Sequence, residues 1–283
     1  VTPDLLVMTA TPIPRSLALT LYGDLDASYL RVRPGSRGPG HVTTRIVPRT
    51  GRAEAYERIR QAVKSGRQAY VVCALVDESD SAEARAATRE ARRLQTSVFP
   101  DLRVGLLTGR MPPSAKRAVM DDFRAGKIDV LVSTTVIEVG VDVPNATVMI
   151  VENGERYGLA QLHQLRGRIG RGDHPGEFLV FADPRTEEGK ARMRAIAETT
   201  DGFTLAEADL ALRGEGDIAG VRQSGLPPFR IASFSGQEEV LAAARKDARA
   251  IIEADPALER PEHAPLKERL LTLQASARTV DSG

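Results

Sequence analysis

An α/β fold, with a parallel sheet covered by helices on both faces and further helices after it, is what this 283-residue sequence predicts. Three observations predict it. From His41 onward, short β-rich runs alternate with helical patterns, as they do in βαβ units. The runs YVVCALV (residues 70–76) and TVMIVE (residues 147–152) are almost continuously apolar, as strands buried on both sides are. After Phe181 the strand patterns stop, and helical patterns with one glycine-rich loop follow.

Taken in order, residues 1–8 (VTPDLLVM) have the look of a last strand with no earlier strand to join. A lone strand leaves its edges unsatisfied. The expectation is a piece of a longer protein, cut late in an upstream domain. Residues 33–40 (RPGSRGPG) lack periodicity and read as a linker. Strands are expected at residues 43–47, 69–74, 104–107, 130–133, 148–152 and 178–181. Helices are expected at residues 53–64, stopped by Gly66, 81–96, 114–124, stopped by Gly126, and 159–165. Helices at residues 187–200 and 205–212 are separated by Asp201-Gly202, strong turn chemistry. A glycine-rich loop (residues 214–228) and two amphipathic helices (residues 237–253 and 266–275) complete the chain. The division expected is residues 1–38, the end of a first domain and a linker; 39–186, the α/β domain; 187–235, a helical hairpin and loop; and 236–283, a C-terminal helical segment.

Composition narrows the function. Hydrophobic residues make up 42%, enough for a buried core. With 39 basic and 38 acidic residues the net charge is +1, so any phosphate binding must come from local patches. The single Cys73 excludes an internal disulfide framework. No apolar run approaches ~18 residues and no signal peptide opens the chain, so no membrane role is expected and a reducing cytoplasm fits best.

Four segments carry chemistry. MTATPIPR (residues 8–15) ends a strand in a stiff turn, because two prolines flank Ile13. Thr9 and Thr11 offer hydroxyls there, although an ordinary strand exit reads the same. TGRM (residues 108–111) precedes a basic helix and presents Arg110, as a phosphate contact or a solvated charge. STTVIEVGVDVP (residues 133–144) places Thr134 and Thr135 after an apolar strand, where hydroxyls can donate to a phosphate. Gly140 allows close approach and Asp142 can accept from a ribose hydroxyl; a plain βα loop is the alternative. QLHQLRGRIGRG (residues 161–172) holds Arg166, Arg168 and Arg171 at fixed spacings set by Gly167, Gly170 and Gly172. Guanidinium forks suit phosphate oxygens; a solvated basic loop is the bland reading. His163 is expected to pack or hydrogen-bond locally, since no partner spacing supports metal or triad chemistry. In open α/β sheets ligands bind at the carboxyl ends of strands, and each segment follows a strand.

The first, third and fourth of these segments resemble motifs III, V and VI of superfamily 2 helicases. Within that superfamily, TGRM, STTVIEVGVDVPNA, ENGERYGLAQLHQLRGRIGRG and DGFTLAEADLALRGEGDIAGVRQSG are similar to the RecG family of branched-DNA helicases, and the likeness covers residues 1–235. It implies a RecA-like fold and an ATP-dependent DNA helicase, an ATP hydrolase. The pattern Q-x-x-G-R-x-x-R falls on Gln164, Gly167, Arg168 and Arg171, so Arg168 and Arg171 would serve the γ-phosphate and Gln164 would join them. Gly140 and Asp142 would line the ATP side. Thr9, Thr11, Arg15, Arg110, Thr134 and Thr135 would touch or couple to DNA. Arg213, Arg222 and Gln223 would belong to a translocation hairpin, and the G-x-G at Gly214 and Gly216 is not a dinucleotide fingerprint, because it follows a helix. Two positions depart from the family: Thr108 stands where histidine is usual, and Gly-Glu-Gly at 214–216 replaces Gly-Pro-Gly.

The resemblance also implies what lies elsewhere. The chain holds no G-x-x-x-x-G-K-[ST] loop and no acidic Mg²⁺ motif. ATP with Mg²⁺ would therefore need an upstream RecA-like domain, and a wedge domain would engage the junction. The partners implied are branched or duplex DNA, those upstream domains and a single-strand binding protein, in a bacterial cytoplasm at the nucleoid. The motor half of a transcription-repair coupling factor is an alternative. So is a non-catalytic DNA-binding module, for the chain as it stands.

Overall fold

In the computed structural model the described residues are 42–73, 80–134, 143–213 and 238–280, with Leu6 and Ser28. Six strands form one fully parallel sheet: β1 (Val42–Val47), β2 (Gln68–Val72), β3 (Val104–Leu107), β4 (Val130–Ser133), β5 (Ala146–Val151) and β6 (Gly176–Phe181). Their order across the sheet is β1-β6-β5-β2-β4-β3. All six stand within two residues of the expected positions. β2, β4 and β5 are buried along their whole length, which is why their sequences are apolar runs rather than alternations.

The strand order decides where the helices lie. Crossovers between parallel strands are right-handed. α1 (Arg52–Lys64) leads from β1 to β2 and α2 (Asp80–Arg93) from β2 to β3, both in one direction along the sheet. α3 (Pro113–Arg124) leads from β3 to β4 and α4 (Leu159–Arg166) from β5 to β6, in the other direction. The first pair therefore covers one face and the second pair the opposite face. Side chains agree with this. Ala69 and Val71 join Ala55, Ile59, Ala87 and Leu94 in one cluster. Tyr70, on the alternate face of β2, meets Phe123 of α3 at 5.0 Å between ring centroids.

The helix expected at residues 81–96 ends differently. After Arg93 the chain widens into a π-turn, Leu94–Val98, closed by Phe99 N donating to Leu94 O at 2.6 Å. The extra residue lets Leu94 and Phe99 both be fully buried. α5 (Glu187–Glu198) is N-capped by Thr186, whose Oγ1 accepts from Gly189 N at 3.0 Å. It packs on β1 and α4.

Chain contacts define two compact units, and the boundary falls between Leu205 and Ala206, inside α6 (Gly202–Arg213). The first unit is the sheet with its helices. The second contains the rest of α6, α7 (Glu238–Ala254) and α8 (Ala264–Val280). At the start of α6, Asp201 caps the helix: Oδ2 accepts from Thr204 N at 3.2 Å and Thr204 Oγ1 at 2.8 Å.

Candidate functional site

The candidate residues divide between the two ends of the sheet. At the carboxyl end, β3 leads into a tight turn in which Met111 N donates to Thr108 O at 3.3 Å. The turn buries Thr108, leaves Arg110 exposed, and is followed by Pro112 and Pro113, which start α3. β4 leads into Ser133 and Thr134. Thr134 N is held by Leu107 O at 3.2 Å, and its side chain is 1% exposed. Neither the Ser133 nor the Thr134 hydroxyl has a hydrogen-bond partner among the described residues. In this conformation a phosphate cannot reach the Thr134 hydroxyl without displacing what covers it. Thr135, Gly140 and Asp142 lie outside the described residues, as do Thr9, Thr11, Arg15, Arg222 and Gln223. Arg213 is the last residue of α6.

The arginine motif lies at the other end, contrary to the expectation that all the motifs gather at strand carboxyl ends. α4 starts beyond the carboxyl end of β5 and runs back for eight residues, roughly 12 Å. Residues 167–172 therefore turn at the amino end, before β6. Two close approaches place them. A Cβ on Gly172 would stand 2.9 Å from the carbonyl oxygen of Pro144, two residues before β5. A Cβ on Gly176, the first residue of β6, would stand 3.3 Å from Gly170 N. Gly170 has φ +65°, a left-handed conformation that glycine adopts without strain.

On this loop Arg171 is exposed, and its Nε donates to Gly167 O at 2.9 Å. Arg168 and Gln164 are half-buried and Gly167 is buried. Arg166 does not join them as a phosphate ligand. It is 4% exposed, and its guanidinium donates to Ile196 O at 2.8 Å, Thr199 O at 2.9 Å and Thr44 Oγ1 at 3.3 Å, with His163 Nδ1 at 3.1 Å. Arg166 is thus a tie between α4, α5 and β1.

One cluster at the carboxyl end carries no signal in the sequence. Arg52, the first residue of α1, grips the carboxylate of Glu152, just after β5, with both terminal nitrogens, one of them at 2.7 Å. The two residues stand 100 positions apart. The Arg52 guanidinium also lies 4.4 Å over the Phe181 ring and donates to Tyr56 Oη at 3.2 Å. Arg93 donates to the same Tyr56 oxygen at 2.5 Å and to Glu90 at 2.6 Å. Burial works against the charge on Arg52, yet its hydrogen bonds to Glu152 leave its pKa raised. On Glu152, burial outweighs the same pairing and pushes the carboxyl above its ordinary range.

Comparison with known proteins places this geometry. Residues 54–173 match the family described as helicase conserved C-terminal domain, and residues 199–281 match ATP-dependent DNA helicase RecG, domain 3, C-terminal. The ATP-dependent DNA helicase RecG of Synechocystis sp. is 46% identical over 269 residues, which are 95% of this chain and 32% of that protein. The Bacillus subtilis RecG is 43% identical over 269 residues, 95% of this chain and 39% of that protein. The chain is similar to these RecG proteins over nearly all of its own length. A solved structure of RecG bound to a three-way DNA junction is similar to it with 45% identity and a TM-score of 0.63, covering 82% of this chain and 30% of that one. The chain spans about a third of the length of the curated RecG relatives it matches.

The RecG domain 3 match covers α6, α7 and α8. Within the second unit the α7–α8 connection is held by Asp255. Its carboxylate accepts from Glu259 N at 3.0 Å and Arg260 N at 2.9 Å, and lies 2.8 Å from His263 Nδ1. The Arg260 backbone N–H, then His263 and the Glu259 N–H, hold that carboxyl down at about 2. In the first unit, a cavity of about 290 Å³ opens at the amino end, lined by Arg58, Arg67, Thr147 and His174 among others. Arg67 is anchored there by Asn145 Oδ1 at 2.9 Å. Among the described residues no group of three His, Cys, Asp or Glu side chains is placed to hold a metal ion. None of the described helices is long and apolar enough to cross a membrane.

Proposed function

We propose that this chain is the C-terminal motor part of an ATP-dependent DNA helicase that remodels branched DNA, such as stalled replication forks and Holliday junctions, in recombination and repair. The observation that carries the reading is Arg171, exposed on a loop whose backbone is packed against Pro144 and whose helix is tied to α5 by Arg166. A guanidinium offered from so fixed a base is suited to charge developing on a transferred phosphoryl group, an effect worth roughly 10³–10⁵ in rate.

In this reading Arg168 and Arg171 serve the γ-phosphate of ATP with Mg²⁺, and Gln164, Gly167, Gly140 and Asp142 belong to the same side. The phosphate loop and the Mg²⁺ ligands come from an upstream RecA-like domain. The carboxyl end of the sheet is the DNA side, through Arg110, Thr135 and, once what covers its hydroxyl is displaced, Thr134, with Thr9, Thr11 and Arg15 before it. Arg213, Arg222 and Gln223 belong to the translocating hairpin. The division of the chain at residues 38, 186 and 235, a wedge domain on the junction, a single-strand binding protein as partner and a place in the bacterial cytoplasm at the nucleoid are parts of the same proposal. The likeness to a RecG solved on a three-way DNA junction supports branched DNA as substrate.

The test is ATP hydrolysis with forked DNA. The chain alone is expected to give no turnover; robust turnover would mean that it holds a nucleotide site of its own. In the RecG-length protein, Arg171→Ala is expected to lower DNA-stimulated turnover by at least about 10³-fold while junction binding stays nearly intact. Loss of binding with normal turnover would sink the reading.

A further inference from the structure

We infer that Arg52 and Glu152 are positioning residues for the arginine loop: together they fix the turn between β5 and α4, and through α4 they set where Arg171 stands. The inference rests on the proposed role of Arg171.

The turn begins at Glu152 and is pinned at three points. Glu152 is held by Arg52. Gly154 lies so close to β6 that a Cβ on it would stand 2.0 Å from Val180 Cγ1. Glu155 accepts from Asp183 N at 3.4 Å. Between the first two pins Asn153 takes φ +52°, a left-handed conformation that asparagine accepts more readily than other residues with a Cβ. Gln161 then closes the start of α4 by accepting from Gly158 N at 3.2 Å. Leu159, Leu162 and Leu165 are all fully buried, so α4 behaves as one rigid body. A change of angle at its start is carried to the loop at its end.

The pair is poorly explained as a stabilising device. Arg52 is the first residue of α1, where a cation opposes the helix dipole. Burial of Glu152 opposes its charge, and a buried ion pair is weak evidence for stability. The pair does supply a bidentate, directional link between elements far apart in sequence, and such a link fixes orientation. A misplacement of about 1 Å in a catalytic group can lower a rate by ~10²-fold.

The experiment uses the RecG-length protein with three changes: Glu152→Gln, Arg52→Lys, and the double change Arg52→Met with Glu152→Met. The expected result is a fall in kcat for DNA-stimulated ATP hydrolysis of roughly 10–100-fold in the first and third, with KM for ATP and junction affinity within a few-fold. Arg52→Lys, which keeps the charge but not the fork, should recover part of the rate. Wild-type kcat in a folded double variant overturns the inference. Should that variant not fold, near-isosteric Glu152→Gln decides alone, and wild-type kcat there overturns it equally. Arg171→Ala runs beside them. If that variant keeps turnover, the proposed function fails; if it loses turnover while the pair variants keep theirs, only this inference fails.

Discussion

Arg166 joins Ile196 across 30 residues, its guanidinium donating to the Ile196 carbonyl at 2.8 Å and to Thr199 O at 2.9 Å. The last turn of α5 has no basic residue of its own, and the final carbonyls of any helix lack intrahelical partners. An arginine from α4 closes them instead. The end of the arginine-bearing helix and the end of α5 therefore move together.

Arg166→Ala should orphan buried carbonyls, each worth about 1–3 kcal/mol, and destabilise the first unit by roughly 2–4 kcal/mol. Lysine should not restore it, since one ammonium cannot reproduce the fork. Chemical denaturation followed by circular dichroism reads this; an unchanged midpoint would remove Arg166 from the capping role.

Gly172→Ala should act on the loop rather than on the fold. The new Cβ would meet backbone, the Pro144 carbonyl at 2.9 Å, which cannot swing aside as a side chain does. The expected outcome in the RecG-length protein is a loss of ATP turnover of about 10–100-fold, by displacement of Arg171, with a melting temperature close to wild type. Normal turnover would show that the loop tolerates a shift.

Glu152 should give an acid-side gain in stability. Its folded carboxyl is raised by burial, so the folded state holds the proton more tightly than the unfolded chain. That contribution is fullest below the ordinary carboxylate pKa and is lost as pH rises through the raised value. Compared with Glu152→Gln, the wild-type melting temperature should gain as pH is lowered through the raised value into the ordinary carboxylate range. Parallel curves for the two proteins would contradict it.

Asp255 should behave with the opposite sign. Held at about 2 by its N–H donors, it stabilises the α7–α8 connection above the ordinary carboxylate pKa, and the effect is lost as pH falls through the depressed value. Protection of the Glu259 and Arg260 amides against hydrogen exchange, relative to their intrinsic rates, should fall in that acid window and be low throughout in Asp255→Ala. Equal protection in the variant would mean the turn is held by other contacts.

Much of the first unit was legible in residue order. Strand positions followed from apolar runs, and helix ends from Gly66, Gly126 and the Pro112-Pro113 pair, because these are local effects of side-chain and backbone sterics. The exposed Arg171 and the half-buried Arg168 were likewise visible as a dense arginine–glycine pattern. Arg166 was not separable from them: nothing near it in sequence says that α5 will end against it, 30 residues later. Arg52 and Glu152 were silent for the same reason at greater distance.

By itself the sequence determined the alternation of strands and helices, the parallel sheet and the arginine–glycine segment, since each depends on neighbours a few residues away. The tertiary structure alone decided which end of the sheet each candidate occupies. α4 starts at the carboxyl end of β5 and carries the chain back across the sheet. Arg110 and Thr134 are thereby left at one end, and Arg171 is set at the other, beside Gly172, which packs against Pro144. That separation comes from the direction and length of a packed helix, quantities that exist only once its buried leucines have a sheet to pack against.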